Sequence, residues 1–333
     1  MIHSGPVVVT GVSSFVGARL AQHFAAAGHR VVGTLTRPAA DYDPIRRARL
    51  NLAQSAGAEL AALDLGNSAG LRSWILKHRP AIWIHHAGWA VDYGSRDYDL
   101  TRGFQINVAP LTELYAALKD SGCRGILITG SSAEYSDSDA PNREEDACLP
   151  TLPYGLSKLA ETLRARQLAL EHGLPTRVAR LYIPFGPLDA PDKLVPSVVA
   201  CLRAGRPIDL SPCLQARDFV HVEDVAGGYE ALARDLERQE LFDVFNLCSG
   251  RAVPLREWLL AIARLLNADP ALLRFGKRAL RPGEPAISCG ANAKARRLLG
   301  WQPQALEERL RQYLQITSVD GTADTGVAQE RKL

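Results

Sequence analysis

The sequence predicts an α/β fold, a doubly wound parallel sheet with helices on both faces and a smaller C-terminal lobe. Three observations lead there. Short apolar runs rich in β-branched residues alternate with longer amphipathic stretches through the first half of the chain. Those runs are continuously apolar rather than alternating, as expected of strands buried on both faces. The first run also passes through one short glycine-containing turn directly into a helical stretch. Right-handed crossovers of such strand–helix units wind a sheet in both directions.

Residues 7–10 form the first predicted strand. Residues 15–27 follow as a helix with Val16, Leu20 and Phe24 on one stripe and Gly28 as its terminator. Strands at 30–35, 60–63, 82–85 and 125–129 continue the series, separated by helical segments including 68–78 and 104–120. After Pro175 the pattern loosens: a strand at 177–181 precedes a Pro- and Gly-rich stretch through Pro212. Strands at 243–247 and 273–275 and helices at 255–266 and 306–314 complete the pattern. Residues 1–175 are therefore expected to form the first domain. Residues 176–316 are expected to supply mainly a smaller lobe interleaved with the sheet. Residues 317–333, polar and without apolar period, read as a disordered tail.

Composition excludes several classes. The net charge of +3 is small, and the longest basic clusters, Arg46-Arg47 with Arg49 and Arg296-Arg297, are short. That argues against a general nucleic-acid groove. No run of about 18 apolar residues offers a membrane span. The first residues lack the basic segment and cleavage site of a secretory leader, so a cytoplasmic location is expected. The six cysteines are scattered without a Cys-x-x-Cys pair, as fits reduced thiols rather than a disulfide framework or zinc site. No metal is expected. His85 and His86 lack a matching carboxylate pair and read as strand packing.

Chemistry enters at the first turn, Thr10-Gly11-Val12-Ser13-Ser14-Phe15-Val16-Gly17. A dinucleotide site needs a tight turn, close backbone approach to pyrophosphate, and a helix N-terminus aimed at it. Gly11 can supply the turn and Gly17 the close helix-to-strand contact. This stretch resembles the Thr-Gly-x-x-Gly-Phe-[Ile/Val]-Gly turn of the extended short-chain dehydrogenases, a Rossmann-fold family that includes the nucleotide-sugar epimerases and dehydratases. Gly11, Phe15 and Gly17 match; Ser14 replaces the middle glycine, and its side chain can still hydrogen-bond phosphate. The resemblance implies cofactor contacts from Gly11, Ser13, Ser14, Phe15, Val16 and Gly17. It implies further ones from Asp64 and Leu65 after the third strand, from Ala87-Gly88 after the fourth, and from Asn107. For Asp64 the residues alone leave a second reading open, a helix N-cap.

The second strand indicates which nicotinamide cofactor to expect. An acidic residue at its end would grip the adenine ribose and repel a 2′-phosphate. Leu35 or Thr36 stands there instead, followed by Arg37, with Arg46 and Arg47 nearby. A guanidinium suits a phosphate, so NADP(H) is preferred and NAD(H) is the alternative. Arg37 as a plain solvated cation remains the competing reading.

Tyr154-Gly155-Leu156-Ser157-Lys158, downstream of this phosphate turn, is expected to carry the reaction. Residues four apart share a helix face, and an ammonium beside a phenol lowers its pKa for general acid–base work. The family pattern Ser/Thr-x-x-x-Tyr selects Ser131 as the hydroxyl polarising the substrate, with Ser132 as the runner-up and a substrate contact; a Ser pair that merely caps a turn is the competing reading. Members that dehydrate place Asp-Glu after that hydroxyl, and related decarboxylases place a Glu where Ala133 stands. Here the positions hold Ser132 and Ala133. Dehydration by that route and decarboxylation are disfavoured, and Glu134 is one residue off, facing elsewhere if the segment is extended.

On the substrate side, Arg217-Asp218-Phe219-Val220-His221-Val222-Glu223-Asp224 and Arg281-Pro282-Gly283-Glu284 resemble two family motifs whose arginines contact a nucleoside diphosphate. Structural ion pairing is the competing reading for both. Ile183 stands where many members have an asparagine. The resemblance spans residues 7–314 and implies a nucleotide-diphosphate sugar substrate and a homodimer pairing through residues 104–120 and 154–171. Three functions stay open: reduction of a 4-keto-6-deoxy sugar, favoured; 4-epimerisation with retained cofactor; and a non-catalytic dinucleotide-sensing or scaffold role.

Overall fold

The computed structural model describes residues 5–280 and 284–319. Three fully buried valines form β1 (Val7–Val9). Ser14 then caps α1 (Phe15–Ala26), its hydroxyl accepting the Gly17 N–H. Next come β2 (Val31–Leu35), α2 (Pro44–Ser55), β3 (Glu59–Ala62), α3 (Ser68–His78) and β4 (Ile82–His85). The expected helix at 104–120 is broken. α4 (Leu100–Gly103) leads into a π-turn (Phe104–Val108), and α5 (Leu111–Ser121) restarts after Pro110, which has no N–H to continue the ladder. β5 (Gly125–Ser131), α6 (Pro153–His172) and β6 (Thr176–Leu181) finish the first half.

The second half is built from shorter pieces. They are β7 (Ile183–Phe185), α7 (Leu194–Arg203), β8 (Ile208–Leu210), β9 (Ala216–His221), α8 (Val222–Asp235) and β10 (Phe242–Leu247). β11 (Ala252–Pro254), α9 (Leu255–Leu265), β12 (Leu273–Phe275), β13 (Ile287–Ser288), α10 (Ala293–Leu299) and α11 (Leu306–Val319) follow. The predicted disordered tail is corrected at its start. Residues 317–319 extend α11, an outcome the polar composition hid, and residues 320–333 lie outside the described part.

Seven strands form one parallel sheet in the order β10-β6-β5-β4-β1-β2-β3. One face packs on α1, α2 and α8, through Leu20, Phe24, Leu50, Val225 and Tyr229. The other packs on α3, α5 and α6, through Leu71, Ile75, Leu114, Tyr115 and Leu168. Chain order reverses at β1, which pairs with β2 on one side and β4 on the other. A crevice therefore opens at the C-terminal ends of β1 and β4, where such sheets bind ligands. β7, β9, β11 and β13 form a small mixed sheet whose core is centred on Phe185, on Phe219 stacked against Trp258, and on Leu310.

Candidate active site

The turn after β1 is built for close approach. Gly11 has φ +70°, and a Cβ there would lie 3.0 Å from the Ala87 Cα. At Gly17 a Cβ would meet the Gly11 carbonyl oxygen at 2.4 Å. Both positions thus require glycine for geometric reasons. The Thr10 hydroxyl accepts the N–H groups of His86 and Ala87, at 2.9 Å each, joining the loops after β1 and β4. The N–H groups of Phe15 and Val16 open α1 with no acceptor inside the helix. This cradle suits a pyrophosphate by shape and by dipole.

At the adenosine end, Arg37 is exposed just past β2, its guanidinium 4.4 Å above the Tyr42 ring. The Tyr42 hydroxyl lies against Ser13 and Thr36. Arg46 pairs with Asp43, and Arg47 donates to the Tyr42 carbonyl, so both expected helpers of Arg37 are engaged locally. Asp64 is exposed and accepts the Gly66 N–H in a turn. The helix cap is instead Asn67, which corrects the N-cap reading of Asp64. Leu65 is buried beside it.

Ser131 ends β5, and Tyr154 stands in the first turn of α6 with its phenol beside the Ser131 hydroxyl. One helical turn on, the buried Lys158 ammonium pairs with Glu161. The expected lowering of the tyrosine pKa is corrected in its net sign. Burial raises the Tyr154 pKa, Lys158 pulls it back, Glu161 pushes it up again, and it stays above an ordinary phenol. Burial also lowers the Lys158 pKa, but Glu161 and Tyr154 outweigh it and hold the ammonium charged. Burial pushes Glu161 itself up to about 7 despite Lys158. Its second oxygen faces the neutral, buried His85 at 3.7 Å, and burial takes that imidazole down to about 3.

Three neighbours, Tyr93, Tyr98 and Lys193, were not apparent from sequence. Tyr93 and Tyr98 pack edge-on against the Tyr154 ring, with centroids 5.7 and 5.6 Å away. Lys193 lies over Tyr93 and donates to its hydroxyl at 3.1 Å. Asn107 sits in the π-turn and is fully buried. Its carbonyl accepts the Trp89 N–H at 2.7 Å and its amide donates to Ser157 at 2.9 Å, bracketing the loop after β4 to α6. Glu134 lies in a 3₁₀ turn rather than an extended segment. It is fully buried and accepts from Ser131 N–H, Thr162 and Arg180, at 2.8, 2.9 and 3.0 Å.

Arg217 lies on β9, buried, with one arm 2.7 Å from Glu284 and the other donating to the Ala216 carbonyl. Ser132, in the turn after β5, is half-buried, as is Ile183 on β7. Arg281 lies outside the described residues.

A glycine-turned Rossmann sheet with a hydroxyl, a phenol and an ammonium gathered beside its crevice defines an extended short-chain dehydrogenase/reductase. The chain belongs to the NAD dependent epimerase/dehydratase family, whose model matches residues 7–248. It is 25% identical to UDP-glucuronate 4-epimerase of Thermodesulfobacterium geofontis, covering 92% of this chain and 94% of that one. It is 28% identical to GDP-6-deoxy-D-mannose reductase of Pseudomonas aeruginosa, covering 92% and 95%. MoeE5, solved with UDP-glucose and NAD, shares the fold with a TM-score of 0.79 at 24% identity, over 95% of this chain and 99% of that one.

Proposed function

We propose that this protein is an NADP(H)-dependent reductase of a nucleoside-diphosphate 4-keto-6-deoxy sugar. The observation that carries the reading is Tyr154, a phenol held protonated beside Ser131 with no free carboxylate in the adjoining turn. A nicotinamide cofactor, when bound, would supply the hydride. Ser131 holds the substrate carbonyl oxygen by donating to it, and Tyr154 gives the proton that the resulting alkoxide takes up. Lys158 steadies the phenolate left behind and orients the nicotinamide ribose. Gly11, Ser13, Ser14, Phe15, Val16 and Gly17 would hold the pyrophosphate. Asp64, Leu65, Ala87 and Gly88 would line the cofactor, and Arg217, Arg281 and Ser132 the substrate. Ser132 and Ala133 leave the turn without the acids of a dehydratase, and Glu134 is committed to Arg180.

The second reading, a 4-epimerase, is favoured by the 4-epimerases among the relatives. The two separate by one assay. A reductase consumes added NADPH as a 4-keto-6-deoxy nucleotide sugar is converted, whereas an epimerase turns over a sugar nucleotide with no net cofactor loss. In the same assay NADPH is expected to outperform NADH, and Arg37→Ala to shrink that advantage by about ten-fold, through loss of a charge-assisted phosphate contact. An unchanged NADPH/NADH ratio in the variant would remove Arg37 from the 2′-phosphate.

The homodimer is proposed on α6. Leu156, Leu163 and Leu170 recur every seven residues and are all exposed, a stripe suited to a helix–helix seam. Leu163→Glu is expected to convert a dimer to monomer in sedimentation or light scattering. A monomeric parent, or a variant still dimeric, would move the interface elsewhere.

A further inference from the structure

Ser14, which replaces the family glycine, is coupled to a chain of three further polar side chains. The Ser14 hydroxyl lies 2.9 Å from His86 Nε2, and His86 Nδ1 lies 2.9 Å from the Thr129 hydroxyl. Thr129 in turn lies 2.5 Å from the hydroxyl of Tyr229, a side chain buried without exposure on α8. Proton positions along this chain follow from counting donors and acceptors.

The Tyr229 O–H has Thr129 as its only partner among the described residues, and burial keeps that phenol protonated. A buried hydroxyl left without an acceptor is costly, so Tyr229 donates to Thr129. Thr129 then spends its own proton on His86 Nδ1. Burial and then the Lys158 charge lower the His86 pKa to about 4, so the ring is neutral and its single proton sits on Nε2. That proton goes to Ser14. Ser14 Oγ already accepts the Gly17 N–H at 3.0 Å, so both its lone pairs are taken. Only its O–H remains, at the mouth of the turn.

We propose that the Tyr229–Thr129–His86 chain fixes Ser14 as a dedicated hydrogen-bond donor to the cofactor pyrophosphate, replacing with an oriented hydroxyl what a glycine would leave to backbone alone. The inference rests on the reading of this turn as the dinucleotide site. It makes Ser14 a binding residue and His86 a positioning residue. It also joins the serine in the glycine turn and His86, the residue after β4, in one device.

The test uses the full chain and two measurements. In calorimetric titrations with NADP and NAD, Ser14→Gly is expected to weaken binding about ten-fold, the loss of one donor to a charged acceptor. Glycine is tolerated at a helix cap, and Ser14→Thr, which keeps the hydroxyl, should restore most of the affinity. Binding of adenosine, which has no phosphate, followed by NMR, should not change. His86→Leu should reproduce part of the loss with Ser14 intact. Nitrogen NMR of the ligand-free protein should show His86 as the neutral Nε2–H tautomer. Equal losses for adenosine and dinucleotide, or an Nδ1–H tautomer, would overturn the proposal. A wild-type chain that binds neither NADP nor NAD would instead overturn the site reading on which it rests.

Discussion

Replacing Tyr154 by phenylalanine is expected to cut ketone reduction by about a hundred- to ten-thousand-fold, the usual worth of a positioned general acid. Calorimetric affinity for the dinucleotide should stay close to wild type, because the phenol proton is needed only as the product alkoxide forms. Turnover that survives unchanged in Tyr154→Phe would defeat the assignment of Tyr154 as the general acid. The pH dependence follows from the direction of the shift. Burial and Glu161 hold the phenol above its ordinary value in spite of Lys158. Reduction needs that phenol protonated, so its rate should stay level through neutrality and fall only on the far alkaline side. Oxidation of the alcohol needs phenolate and should rise over the same range. Lys158→Met removes the larger of two downward pulls, the other being the Ser131 hydrogen bond, so both limbs should move further alkaline as the overall rate drops. A limb that moves towards neutrality would show that Lys158 does not act on Tyr154.

The parts of this protein that were legible in the sequence are those where one local pattern serves one physical demand. Val7–Val9 and Ile82–His85 read as strands because a parallel strand buried on both faces must be continuously apolar. Gly11 and Gly17 stood out because their backbones approach Ala87 and the Gly11 carbonyl too closely for a side chain. Tyr154 and Lys158 were legible because four residues make one helical turn. What stayed hidden depends on groups far apart in the chain. The ring packing of Tyr93 and Tyr98 on Tyr154 spans more than fifty positions. Glu161 meets His85 from a different element, 3.7 Å away across the sheet–helix boundary. The strands β7, β8, β11 and β13 have only two or three residues each, too short to display a period. The π-turn at Phe104–Val108 was also invisible, since Phe104, Val108 and Leu111 fall at ordinary helical spacing.

Glu134 is the clearest case in which position in sequence and role in structure part company. It lies in the turn after β5, three residues from Ser131, where a functional acid would be looked for. Its oxygens instead accept from Ser131 N–H, Thr162 and Arg180, and the Glu134 side chain itself is fully buried. Arg180 has its own reason to need it. Burial opposes that guanidinium, and Glu134, followed by Tyr135, offsets the cost; the Tyr135 ring lies 4.4 Å away. Glu134→Ala should therefore destabilise the fold by about 3–5 kcal/mol, because it strands a buried cation rather than merely deleting a contact. The urea midpoint should fall accordingly at an unchanged slope. Replacing both partners with apolar residues, Glu134→Leu with Arg180→Met, should recover most of that loss, since a matched apolar pair leaves no charge uncompensated. Equal destabilisation of the single and double variants would assign the cost to the Ser131 and Thr162 hydrogen bonds instead. If Glu134 were a proton donor in the reaction, Glu134→Ala would abolish turnover at full stability, an outcome opposite in both measurements.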